Sequence, residues 1–346
     1  REARRPVIVA GRGVQLDPDP VRRLAEHHGV GVYAAFRRQD AFPNGHPLYL
    51  GHLGIAAPDA LLGPLREADL VLVLGCRLSE VTTQSYALPA GDTYVVQADP
   101  EPDAAADLAV PCDPGAFAEA VTIGPGTARD WSAAHAAWER LNAPPAPDAP
   151  NAPDAAGGVH PAAVLAAMRR RLPSGAVLVN DAGNFAIFVH RHWRFDHPHT
   201  QLAPTSGAMG YAVPASVGAA LVTGRPVVAA VGDGGFLMSG QELETAARYG
   251  LSTLTVVFQN RLYGTIALHQ ARASGRPAAV DIGDVDLAGY ARSLGADAVT
   301  VDAADQLDDA LAVPPAGGPR VVVVRTDPDV LSPTATLSGL LGDQRR

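Results

Sequence analysis

Asp233 and Asn260 are well placed to hold a hard cation, because each follows an apolar run. The runs are Val227–Val231 and Leu254–Phe258, and one helix's worth of sequence, Ser239–Tyr249, separates them. This is the pattern of a βαβ unit with a right-handed crossover. Parallel strands point their carboxyl ends the same way, so the carboxylate and the carboxamide are expected at one edge of a sheet. Doubly wound folds bind their ligands there. One carboxylate plus one amide oxygen suits magnesium, which takes few protein ligands and fills its octahedron with phosphate and water. Gly232, Gly234 and Gly235 flank Asp233. Lacking side chains, they let backbone N–H groups approach a phosphate.

Those groups need a frame, and the rest of the chain reads as one. Apolar runs at Pro6–Ala10, Val30–Ala34, Leu70–Leu74 and Tyr94–Gln97 predict strands, with a helix at Val21–His28. Continuous apolar strands alternating with helices argue for a parallel sheet covered on both faces. A helix at 128–141 leads into the Pro-rich run 143–153, which suits a semi-rigid spacer. Beyond it come a helix at Pro161–Arg171, a strand at Ala176–Val179, a loop at Asn180–Phe185, a helix at Val213–Val222 and the βαβ unit. Helices at 286–294 and 305–312 and a strand at Arg320–Arg325 close the chain. The fold expected is α/β, with two doubly wound parallel-sheet domains. Their boundaries are 1–125 for a central Rossmann-like domain, 126–157 for helix and linker, and 158–346 for the domain with the cation site.

The 346 residues suit about two domains. A net charge of −9 argues against a nucleic-acid footprint. An acidic protein that binds a polyphosphate needs local positive charge, which a metal supplies. Cys76 and Cys112 match no metal or redox spacing and suit a reducing compartment. No secretory leader opens the sequence, and no apolar run reaches the roughly 18 residues of a membrane span. A cytoplasmic location is expected. Gly11-Arg12-Gly13 is an incomplete dinucleotide fingerprint, and His190, His192, His197 and His199 read as surface residues. Arg169, Arg170 and Arg171 suit the end of a helix, where cations complement the dipole. No G-x-S-x-G elbow supports a hydrolase.

Gly-Asp-Gly at 232–234 with Asn260, 27 positions after Asp233 (233 to 260), resembles the thiamine-diphosphate signature. So does G-A-M-G-Y-A-V-P-A at 207–215. Together with V-I-V-A-G-R-G at 7–13, F-P-N-G-H-P-L-Y-L-G-H-L-G at 42–54 and A-D-L-V-L-V-L-G-C-R-L at 68–78, these motifs make the chain similar to the pyruvate oxidase and acetolactate synthase family. The likeness is to that family's central and diphosphate-binding domains, and it covers nearly the whole chain.

The resemblance implies a set of roles. Asp233, Asn260 and the Leu262 carbonyl would ligate Mg2+. Gly234 and Gly235 would bind the diphosphate through N–H groups, aided by the N-terminus of a helix starting near Ser239. Gly183 and Asn184 would make a second phosphate contact, and Tyr263, Gly264 and Thr265 would close over it. The Gly207 carbonyl would receive the aminopyrimidine. Met209 would wedge under the cofactor and bend it, so that its own amino nitrogen removes the thiazolium C2 proton. The glutamate that activates the pyrimidine lies, in this family, on an N-terminal pyrimidine-binding domain. Its absence from these residues implies a partner, either a separate subunit or an upstream segment, in a hetero- or homo-oligomer. Some central domains of the family bind FAD; nothing in the sequence supports it here.

Simple decarboxylases of this kind place a catalytic Glu after a Thr-Ile pair, where this chain has Ala267 after Thr265 and Ile266. Without that acid the donor carbanion persists and can attack a second carbonyl. The expected activity is therefore an acetolactate-synthase-like carboligation of a 2-oxo acid with a carbonyl acceptor, with His269 as proton shuttle or polar wall. The alternatives are a simple 2-oxo acid decarboxylase and a non-catalytic cofactor-binding subunit.

Overall fold

The computed structural model describes residues 2–55, 57–144, 157–312 and 317–343. From residue 145 on, the Pro-rich run lies outside them. The chain forms two compact units, residues 1–143 with 194–201, and residues 144–193 with 202–346. Each is built on a six-stranded sheet whose named pairings are parallel.

In the first unit the strands are β1 (Pro6–Ala10), β2 (Gly31–Ala34), β3 (Tyr49–His52), β4 (Leu70–Leu74), β5 (Tyr94–Asp99) and β6 (Leu108–Pro111), ordered β3-β2-β1-β4-β5-β6. The reversal of order at β1 makes the sheet doubly wound. Helix Ser132–Asn142 docks on it through Trp138, which is 2% exposed and meets Tyr49 edge-on at 4.9 Å. Segment Arg194–Gln201 also packs here: the Thr200 N–H donates to Asp40 Oδ2 at 2.9 Å and the Phe195 N–H to Asn44 Oδ1 at 2.9 Å. Gly13 is explained by close packing. A Cβ there would stand 2.9 Å from the Gly75 Cα and 2.8 Å from Pro114 Cγ, so the Gly11-Arg12-Gly13 turn serves loop-on-loop contact.

In the second unit the strands are β7 (Val177–Asn180), β8 (Gln201–Leu202), β9 (Val227–Gly232), β10 (Thr253–Gln259), β11 (Asp297–Val301) and β12 (Arg320–Arg325), ordered β11-β12-β10-β9-β7-β8. All seven residues of β10 are buried, as a parallel strand covered on both faces requires. Register pairs Asn180 with Ala230 and Phe258 with Gly232. Because β7, β9 and β10 are neighbours, the loops leaving their carboxyl ends converge.

Several expectations are corrected. The crossover between β9 and β10 is two short helices, Asp233–Ser239 and Glu242–Arg248, not one from Ser239 to Tyr249. The loop after β7 is short and runs into a helix at Phe185–His192. The expected helix at 305–312 is a 3-10 turn, Ala304–Gln306, and one helical turn, Leu307–Ala310. His190 and His192 are buried rather than superficial, since the helix that carries them packs inward; His197 and His199 are exposed.

Candidate active site

Asp233 opens the helix at the end of β9 and is 3% exposed. Its Oδ1 accepts the Gly234 N–H at 2.9 Å and its Oδ2 the Arg261 N–H at 2.6 Å. The second bond ties the β9 carboxylate to the loop after β10, so Asp233 and the Asn260-to-Leu262 segment share one sheet edge. Burial pushes the Asp233 carboxyl up to about 6, against the pull of those N–H donors. Asn260 Oδ1 accepts the Leu262 N–H at 3.1 Å, and the Leu262 carbonyl accepts the Gly264 N–H at 2.8 Å. Arg261, between them, takes a left-handed backbone at φ 56°, which turns the chain back over the edge.

These groups line a cleft of about 190 Å³, partly open to solvent. Gly183, Asn184, Gly207, Met209, Asp233, Gly234, Asn260, Leu262, Tyr263, Gly264 and Thr265 all face it. Gly235 sits just behind, and His269 does not line it: it is exposed on helix Gly264–Ser274, one turn past Thr265. Ala267 is fully buried against the core, so that position does not face the cleft; whether an acid is at hand is decided by the lining residues instead. The helix N-terminus at the cleft belongs to Asp233–Ser239; the one expected near Ser239 begins at Glu242 instead.

Charge balance decides what the cleft can hold. Among the described residues, Asp233 is the one carboxylate lining it, and no arginine does. The chain has no lysine at all. A phosphate in this cleft would face a buried carboxylate with no basic side chain to offset it. A divalent cation held by Asp233, Asn260 and a carbonyl removes that conflict. Close packing also accounts for glycine at two of these positions. A Cβ on Gly234 would come within 2.8 Å of Tyr263 and 3.1 Å of Met209, and one on Gly264 within 2.5 Å of Asn184.

Three features carry no signal in the sequence. Asp181, at the end of β7, is completely buried and bonds the 207–211 loop. Phe185 floors the cleft, its ring stacked on Phe258 at 5.1 Å. Pro161, Thr326 and Val330 complete the wall. A lone Asp or Phe after a strand has no distinctive spacing, so only coordinates reveal them.

A doubly wound unit thus brings glycine backbone, one carboxylate and two carboxamides, Asn184 and Asn260, to a single cleft at the carboxyl ends of its strands. Residues 181–324 match the thiamine pyrophosphate enzyme C-terminal TPP-binding domain, and residues 1–121 the thiamine pyrophosphate enzyme central domain. The chain belongs to the thiamine pyrophosphate enzyme family. It is similar to sulfoacetaldehyde acetyltransferase of Alcaligenes xylosoxydans xylosoxydans, 29% identical over 90% of this chain and 58% of that protein. It is also similar to acetolactate synthase of Bacillus subtilis, 36% identical over 44% of this chain and 27% of that protein. The acetolactate synthase large subunit of Parasynechococcus marenigrum is 30% identical over 87% of this chain and 50% of that protein. The chain thus spans little more than half the length of such relatives. Among the described residues, no helix is long and apolar enough to cross a membrane.

Proposed function

We propose that this chain supplies the diphosphate half of a thiamine-diphosphate enzyme that joins a 2-oxo acid donor to a carbonyl acceptor. The observation that carries this is the cleft where Asp233 and the Asn260-to-Leu262 turn meet with no basic side chain. Asp233, Asn260 and the Leu262 carbonyl hold Mg2+. Gly183, Asn184, Gly234 and Gly235 hold the diphosphate, with Tyr263, Gly264 and Thr265 closing over it. Gly207 and Met209 place the pyrimidine end. Thiamine diphosphate supplies a nucleophilic carbon that adds to a 2-oxo acid and carries the charge left by loss of CO2.

The chain's own residues bias the outcome. Phe185, Met209, Ile266 and Val330 line the cleft with apolar surface, which disfavours water. Asp233 is committed to the metal, and among the described residues no other acid lines the cleft to protonate the product early. That favours transfer to an acceptor. The acetyltransferase and acetolactate synthase names of the relatives agree with this reading. Met209, Leu237, Met238 and Ile266 are exposed apolar side chains on the cleft lining and the helix beside it, and they suit a covering pyrimidine-binding domain that brings the activating glutamate. That domain would come from a separate subunit or an upstream segment.

Product analysis tests the proposal. The chain is incubated with pyruvate, thiamine diphosphate and Mg2+, alone and with a pyrimidine-binding domain added in trans. Acetolactate or acetoin, formed when the domain is added, is expected. Free acetaldehyde alone would replace carboligation by plain decarboxylation, and no turnover in either arm would contradict the 2-oxo acid reading.

A further inference from the structure

Asp181 leaves the end of β7 and is fully buried. Its Oδ2 accepts the Gly210 N–H at 2.9 Å, while its Oδ1 accepts the Ala182 N–H at 2.7 Å and the Tyr211 N–H at 3.4 Å. Tyr211 caps helix Ala212–Thr223, which has no cap from its own N-terminal side chain, so Asp181 serves that end from another strand. Gly235 presses on the same carboxylate: a Cβ there would lie 2.7 Å from Asp181 Oδ2. On its other side Gly210 meets the helix Asp233–Ser239, since a Cβ on it would stand 3.2 Å from Met238 Cβ and 3.4 Å from Ser239 Oγ. Gly210 adopts φ 83° and Gly207 φ 73°, conformations that need outside support to stay unique. Met209 sits between these two glycines, one residue from the Asp181 bond.

We propose that Asp181 is the positioning residue of the Met209 wedge, its buried carboxylate locking the 207–211 loop against the helix that opens at Asp233. The proposal rests on the reading of the cleft as a thiamine diphosphate site. Asp181 itself does not line the cleft, so it acts through the loop. In Asp181→Asn the shape is kept, but an N–H2 group can be set against the Gly210 N–H, donor to donor. The loop loses its anchor while β7 and β9 stay paired.

The chain has three methionines, Met168 in the core, Met209 and Met238, so labelled methionine methyl groups give an NMR spectrum assignable by substitution. In Asp181→Asn the Met209 methyl signal should move and the Met168 signal stay. Binding of thiamine diphosphate with Mg2+ should weaken about tenfold or more, the cost of a lost charge-assisted hydrogen bond. Inorganic pyrophosphate with Mg2+, which has no pyrimidine end to seat, should be held within about twofold of wild type, well under one such bond. An unmoved Met209 signal, or equal weakening of both ligands, would overturn the assignment. Should the variant fail to fold, the unaltered chain decides the matter by hydrogen exchange: a protected Gly210 amide supports the lock and an unprotected one overturns it. If the unaltered chain binds neither ligand with Mg2+, the cofactor reading fails, while the methyl and exchange results still judge the hold of Asp181 on its loop.

Discussion

Asp233 is where sequence and chemistry meet most closely, and its burial has a thermodynamic consequence. Its folded-state carboxyl sits up at about 6, above the roughly 4 of an unfolded chain. Between those values the metal-free folded chain holds a proton that the unfolded chain has released. Raising pH through the window therefore destabilises the metal-free fold, by at most about 3 kcal/mol. Asp233→Asn removes that titration. The variant's melting temperature relative to wild type should rise from pH 4 to pH 6.5; a difference that stays flat across this range would show that the carboxylate is not desolvated as described. Asp233 and Asn260 were legible because each ends an apolar strand at a spacing that chemistry restricts. Asp181 was not, because the partners that tie it to the 207–211 loop are backbone N–H groups some thirty positions away, at Gly210 and Tyr211, and nothing in the local sequence marks them. The burial of Ala267 was not legible either, because its place after Thr265 and Ile266 does not say which side of the helix faces the core.

At the scale of elements, the helix Asp233–Ser239 is seven residues long, too short to persist on its own propensity. Phe236 holds it: the side chain is fully buried and meets Tyr290 edge-on at 5.9 Å. Phe236→Ala should cost about 3–5 kcal/mol, measured by urea denaturation, through loss of buried area and the cavity left behind. A loss under about 1 kcal/mol, far below that range, would mean that tertiary packing does not secure the site's central turn. Only a helix from Ser239 to Tyr249 was expected here, because the glycines at 232, 234 and 235 read as a loop and hid the first helix. Leu243 and Ala246 are buried on the following helix, Glu242–Arg248, and their apolar spacing is what made that second helix legible. The strands β1, β4 and β12 were legible end to end, because both faces are covered and their sequences stay apolar. Strand β6 was not, since it lies at the sheet edge with mostly exposed side chains. Tyr49–His52 was also missed, because a four-residue strand interrupted by glycine carries little pattern.

On the scale of the whole molecule, two doubly wound units and an acidic composition accord with the length and charge of the chain. The mixed ownership of Arg194–Gln201, in sequence beyond the linker but packed with the first unit, was invisible because its ties are to Asn44 and Asp40, far upstream. The proposed function requires a divalent ion in the cleft of the second unit, to reconcile a buried carboxylate with a diphosphate. Titration calorimetry with thiamine diphosphate tests it most directly, run with and without Mg2+, on the wild-type chain and on Asp233→Ala. Saturable binding by wild type is predicted only when Mg2+ is present, weakened at least about a hundredfold by Asp233→Ala, roughly the cost of breaking a buried charge contact. Equal binding without Mg2+, or full affinity in Asp233→Ala, would contradict it.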